Sequence, residues 1–233
     1  MIISHKYKFI FLKTSKTAGT SLEIALSKFC NSNDIITPIS EEDESLRKDL
    51  GYTSPQNYKF DLSEYNLSDY FNLLVKFRKR RKKEFYNHIT SKEVKYLVDN
   101  NCWNNYYKFC FERNPWDKVV SQYYWKTKDP RPPMKEFLKT RHLKGLKKRG
   151  YNIYTIDNEI SVDKIYKFED LKESLIHLQK KLSLPEEIIL PRAKSKYRID
   201  KRHFTEMFDD EEKLTIQDEF SDEIKLFNYS FKK

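Results

Sequence analysis

The chain has 233 residues, of which 38% are apolar and 34% charged, with 16 Tyr, 16 Phe and a formal charge of +10. The length fits a single domain, the aromatic content argues against disorder, and the charge favours an anionic partner without naming one. Three cysteines, Cys30, Cys102 and Cys110, form no CxxC pair, which argues against a disulfide framework or a zinc site and for buried, reduced thiols. No run of about 18 apolar residues marks a membrane span, and no charged-then-apolar leader opens the chain, so a cytoplasmic protein is expected.

Residues 7–12, YKFIFL, form an apolar, aromatic run suited to a buried strand. From residue 20 the period changes, and Leu22, Ala25, Leu26 and Phe29 fall on one helical stripe. Between the two lies KTSKTAGTS, which holds Gly19, one of only four glycines. A helix N-terminus gathers unpaired backbone N–H groups and the positive end of the helix dipole, and a glycine there permits close approach of an anion. Lys16 adds a compact charge, and Thr20 and Ser21 add hydroxyl donors. The turn is not a Walker A motif, because its lysine precedes the glycine and the upstream glycine is missing.

Residues 40–65 are polar, with Gly51 and Pro55 marking loops. KFRKRRKK at 76–83 fits either a surface for anionic substrate or nucleic acid, or a solvated cationic helix face. His88 follows, just before a helix that Thr90 and Glu93 open with a capping-box pattern. A second strand, turn and helix begins with YYKFCF at 106–111. Asn114 is placed as N-cap, Pro115 at the first helical position and Asp117 in the first turn. Arg113 closes the strand as a planar fork suited to a phosphate, and Ser121 stands eight residues on. PRPP and a basic segment ending at Gly150 follow. A third unit runs from VDKIYKF (162–168) into a helix carrying Leu171, Leu175, Leu178 and Leu182, and after PRAKSKYRIDKR comes a helical tail ending in LFNYSF. Strands alternating with helices predict an α/β fold with a parallel sheet covered by helices. Ligands of such sheets bind beyond the carboxyl ends of the strands, where both turns would lie.

KTAGTS at 16–21 and RNPWDKVVSQYYW at 113–125 together resemble the sulfotransferase family, particularly its Golgi-type and bacterial carbohydrate members. YKFEDLKESL at 166–175 and the ending DEIKLFNYSF are similar more loosely. The resemblance implies one domain over 1–233 with a P-loop-NTPase-like three-layer fold, its central, mostly parallel sheet flanked by helices, and with 31–87 and 126–160 on the acceptor side. It implies 3′-phosphoadenosine 5′-phosphosulfate as donor of a sulfuryl group to a hydroxyl or amine, carbohydrate being the expected acceptor class and an anionic glycan the natural match to a basic surface. Lys16 would stabilise the leaving phosphate. Thr17, Gly19, Thr20 and Ser21 would cradle the 5′-phosphosulfate, and Arg113 with Ser121 would hold the 3′-phosphate. Lys194, Ser195 and Arg198 would belong to a loop over the donor. His88 would serve as the base that accepts the hydroxyl proton, neutral at pH 7 with an imidazole pKa near 6.5, and Glu84 and Glu93 are reserves. No metal and no nucleic-acid partner are expected. His177 reads as structural, and Trp103, Trp116 and Trp125 as core residues. Two other readings stand beside this one. A P-loop-like kinase conflicts with the order of lysine and glycine, and a basic nucleic-acid-binding protein leaves both turns unexplained.

Overall fold

The computed structural model describes residues 1–75, 83–191, 200 and 202–232. Strands β1 (Ile2–Ser4), β2 (Phe9–Phe11), β3 (Ile35–Ile36), β4 (Tyr107–Glu112), β5 (Thr155–Ile156), β6 (Glu159–Ile160) and β7 (Lys164–Lys167) form two sheets. The larger has the order β3–β1–β2–β4–β7, and β5 and β6 pair with each other. β2 and β4 are parallel, as are β4 and β7, while β1 is antiparallel to both its neighbours. Four of the five strands therefore point one way, with β1 against them. The three apolar runs legible in the sequence are the adjacent β2, β4 and β7. The three-residue β1 and two-residue β3 extend the sheet beyond what periodicity reveals.

The helices are α1 (Gly19–Ser27), α2 (Glu41–Asp49), α3 (Leu67–Val75), α4 (Ser91–Leu97), α5 (Asn100–Asn105), α6 (Pro115–Lys126), α7 (Met134–Leu138), α8 (Arg141–Lys148), α9 (Tyr151–Tyr154), α10 (Leu171–Lys181), α11 (Asp210–Glu219) and α12 (Ser221–Phe227). Alternate residues of a strand face opposite sides, and here both sides are buried. Phe9, Phe11, Phe109 and Phe111 pack with Leu22 and Leu26 of α1 and Leu178 of α10. On the other face Ile10, Leu12 and Cys110 pack with Val94 of α4, Cys102 and Trp103 of α5 and Ile153 and Tyr154 of α9. A third cluster joins α6 to α7, α8, α11 and α12 through Trp116, Val119, Phe137, Leu146, Ile216 and Ile224.

Rings stack across the parallel strands, with centroids 5.4 Å apart for Phe11 and Phe109 and 5.1 Å for Phe111 and Tyr166. This aromatic ladder fixes the register Phe11↔Phe109 and Phe111↔Tyr166. The three cysteines are buried and unbridged. The segment 40–65, expected as loops, contains α2. Its Arg47 is fully buried and lies 3.1 Å from Glu44 and 3.8 Å from Glu23 of α1, so a charged helix is docked by ion pairs rather than by an apolar stripe. Among the described residues no helix is long and apolar enough to cross a membrane.

Candidate active site

Because β2 and β4 are parallel neighbours, the turns that follow them leave the same edge of the sheet. The Leu12 N–H donates to Phe109 O at 2.9 Å, and the Thr14 hydroxyl donates to Phe111 O. From there the chain passes through Lys16 at φ 65° and Ala18 at φ 56° into α1. Left-handed non-glycine residues cost roughly 1–2 kcal/mol each, and such strain clusters where ligands are held. Gly19 is required for another reason, close approach. A Cβ there would lie 2.8 Å from Lys13 Cγ and 3.2 Å from Thr14 O. α1 has neither a side-chain cap nor an acidic residue in its first turn. The N–H groups of Gly19, Thr20 and Ser21 precede the bond from Leu22 N–H to Ala18 O at 3.0 Å, and all three residues line one cavity of about 630 Å³. That is the geometry of an anion site.

Arg113 lines the same cavity with Lys16 and Ser121. Its Nη1 donates to Lys16 O at 3.1 Å, while Nε and Nη2 donate to Asp117 Oδ2 at 2.8 and 2.6 Å. Its guanidinium carbon sits 4.3 Å from the centre of the Phe168 ring. These contacts use three of the five donors of the fork and orient it, which leaves two N–H groups for a ligand. The helix behind it starts as the sequence predicts, with Asn114 as N-cap accepting from Trp116 N–H at 3.1 Å and Pro115 at the first position. Glu169 Oε1 accepts the Asn114 N–H at 2.7 Å, so the YKFED segment both braces this turn and supplies the ring under Arg113.

His88 reaches the cavity from the other face, at φ 61°. Its Nδ1 lies 2.8 Å from Lys13 O. A carbonyl only accepts, so Nδ1 carries the hydrogen and the neutral ring keeps its lone pair on Nε2. Burial, followed by the charge of Lys13, pushes the His88 pKa down to about 3, well below the 6.5 expected from the sequence. Lys13 itself is buried and paired with Glu23 Oε2 at 2.9 Å. Burial opposes ionisation of Glu23, and Lys13 overcomes it, holding that carboxyl down at about 2.

The structure brings Lys16, Gly19, Thr20, Ser21, His88, Arg113 and Ser121 to one cavity. Thr17 does not join them. It is buried with its hydroxyl 2.9 Å from Thr14 Oγ1, and it braces the turn from behind. Glu93 is committed to the capping box and to the Tyr86 hydroxyl at 2.7 Å, and neither it nor Glu84 lines the cavity. Lys194, Ser195, Arg198 and all but Lys83 of the 76–83 run lie outside the described residues. His5 and His177 are bonded to Tyr106 and Tyr166 hydroxyls at 2.9 and 2.8 Å, away from this cavity. Trp103 and Trp116 are core residues as expected, but Trp125 is 37% exposed. It ends α6 on the cavity side, with Lys16 Nζ 4.8 Å and Lys126 Nζ 4.1 Å from its ring centre. Residues that sequence reasoning missed include Asn87, Lys126, Arg149 and Phe168. Among the described residues the cavity is lined by five cationic side chains, Lys13, Lys16, Arg113, Lys126 and Arg149, and by no carboxylate. A cavity of about 730 Å³ shares Asn114 and Asp117 with this region. It mixes Asp117, Glu169 and Asp170 with Lys167 and Arg202, so it has no such preference for anions.

No family model matches the chain, and no solved structure matches it. An uncharacterized protein of Archaeoglobus fulgidus is 35% identical over 99 residues, which are 41% of this chain and 82% of the archaeal one. The chain belongs to one family with that archaeal protein. That relative is itself uncharacterized, so the chemistry rests on the cavity described above.

Proposed function

We propose that the protein is a sulfotransferase that moves a sulfuryl group from 3′-phosphoadenosine 5′-phosphosulfate to a hydroxyl, carbohydrate being the acceptor class the resemblance implies. The observation that carries this reading is the meeting of the uncapped α1 N-terminus and Lys16 with Arg113 and Ser121 in one cavity. A ligand with anionic groups at two ends matches two anion sites on adjacent turns, and a 3′-phosphate distinguishes this donor from ATP. The strand, turn and helix at 9–27 beside a parallel β4 support the finer, P-loop-like description of the fold.

In this mechanism the donor supplies an activated sulfuryl group on a phosphate leaving group, and the chain supplies position and charge. The α1 N–H groups and Lys16 bind the 5′ end and stabilise charge developing on the leaving oxygen. Arg113, held in plane by Asp117 and Phe168, binds the 3′ end with Ser121. His88 Nε2 accepts the proton of the attacking hydroxyl while Lys13 O holds the ring through Nδ1–H. Calorimetry tests the reading. Adenosine 3′,5′-bisphosphate is expected to bind, ADP with magnesium to bind far more weakly, and Arg113→Ala to weaken the bisphosphate about 10- to 100-fold, as for a charged hydrogen-bonding partner. Preference for ADP with magnesium would establish a kinase instead. Binding of neither nucleotide, with salt-sensitive binding of nucleic acid, would establish the third reading.

A further inference from the structure

One buried corner of the molecule holds more polar groups than its hydrogen bonds account for. Glu223 of α12 is fully buried, and neither of its carboxylate oxygens has a hydrogen-bond partner from another described residue. Lys118 Nζ of α6 lies 2.5 Å from Glu112 Oε1 at the end of β4, and the second oxygen of that buried carboxylate stays open. The Tyr154 hydroxyl of α9 also faces Glu112, outside normal hydrogen-bond geometry. Gly150 seals the corner, since a Cβ there would fall 3.3 Å from Glu112 Oε2. The charged and titratable groups facing Glu223 are Glu112, Lys118, Lys147 of α8, and Tyr151 and Tyr154 of α9. Lys147 reaches solvent and is paired with Asp222 at 3.0 Å, so among the described residues Lys118 is left to serve two buried carboxylates. Two carboxylates in one dry site with a single cation do not both ionise. Burial pushes the Glu223 carboxyl up to about 7, against the pull of Lys118. A neutral Glu223 carries an O–H donor, the kind of partner that Glu112 Oε2 lacks.

Both sides of this corner lead to the turn that carries Arg113. Glu112 Oε1 accepts the Arg113 N–H at 2.9 Å. The chain leaving α12 crosses the start of α6, where Ser230 O accepts from Asn114 Nδ2 at 3.3 Å and the Phe231 and Trp116 rings meet with centres 5.3 Å apart. An ionised Glu223 would set a second negative charge beside Glu112 and push α12 away from that turn. We propose that Glu112 and Glu223 share one proton, and that this proton docks α12 and the chain beyond it against the Arg113 turn. Glu223 is thereby a positioning residue, acting on the anion site through Glu112 and Asn114 without touching a ligand. An undocked Glu223 ionises near 4.5 and the docked one near 7, so docking weakens as the pH rises across that window and levels off above it.

Hydrogen exchange tests this without a ligand. With intrinsic rates corrected for pH, protection of the α12 amides in the unmodified protein is expected to fall about 10-fold or more between pH 5 and pH 7, and to stay level up to pH 8. Glu223→Gln keeps the shape and a donor without the charge, and its protection is expected to stay constant across the range. Glu112→Gln is expected to do the same, because Lys118 then has one carboxylate to serve. Calorimetry reads the positioning role. Adenosine 3′,5′-bisphosphate is expected to bind Glu223→Gln about 3-fold or more tightly than the unmodified protein at pH 8, and equally within about 2-fold at pH 5. Protection that does not change with pH in the unmodified protein, or that still falls in Glu223→Gln, overturns the proposal. Equal bisphosphate affinities at pH 8 overturn the positioning role. A bisphosphate that binds neither protein at either pH sinks the donor reading instead, and the exchange data still decide whether the proton is shared.

Discussion

His88 shows how position changes a side chain's chemistry. Its neutrality at pH 7 follows from burial and from Lys13, and its tautomer from a single carbonyl. A base with a pKa of about 3 is a weak acceptor in the free protein. On the proposed reading, a bound anionic donor would offset the lysine's field and raise this basicity where the proton is taken. We therefore expect kcat/KM to show no fall from this group near pH 6.5, its acid limb lying well below that value, as a pH–rate profile would reveal. His88→Ala is expected to keep bisphosphate binding and to lose about 10²-fold or more in turnover, and undiminished turnover would remove it from the mechanism. The same shift links to stability. The unfolded chain takes up this proton near 6.5 and the folded one only near 3, so the contribution is complete above pH 6.5. It is lost as the pH falls through that window.

At the scale of the element, the decisive piece is the turn between β2 and α1. Its helix carries no side-chain cap, and on the proposed reading its first N–H groups meet the donor's 5′ end, whereas α4 and α6 are capped by Thr90 and Asn114. Gly19→Ala puts a methyl group against Thr14 O and the Lys13 stem. Overpacking of this kind costs about 1–3 kcal/mol. Urea denaturation is expected to show that loss, and calorimetry a bisphosphate affinity that falls with it. A variant as stable as the parent and equally able to bind would mean that the turn does not need this approach.

For the whole molecule, the site depends on a buried ion pair behind the sheet edge. Lys118 Nζ of α6 lies 2.5 Å from Glu112 Oε1 at the end of β4, and the same carboxylate oxygen accepts the Arg113 N–H at 2.9 Å. Gly150 closes over the pair, since a Cβ there would fall 2.5 Å from Lys118 Nζ. Strand, helix and the Arg149 corner thus share one charge centre. Lys118→Met is expected to strand Glu112 and to cost about 3–5 kcal/mol, measurable by urea denaturation. Replacing both partners, Glu112→Gln with Lys118→Met, is expected to recover part of that loss, because no uncompensated charge remains.

Local chemistry was legible without coordinates. The apolar runs at β2, β4 and β7, the N-cap at Asn114, the capping box at Thr90 and the glycine turn before α1 each depend on residues within a few positions of one another. What only the tertiary structure decided is which distant groups meet. Lys16 and Arg113 are 97 residues apart and touch because β2 and β4 happen to pair in parallel. Trp125 left the core, Thr17 turned behind the loop, and Arg149 and Asn87 entered the cavity for the same reason. Backbone propensity is set by neighbours in sequence, but the direction a side chain faces, and the solvent and charge around it, are set by strand pairing and helix docking between residues remote in the chain.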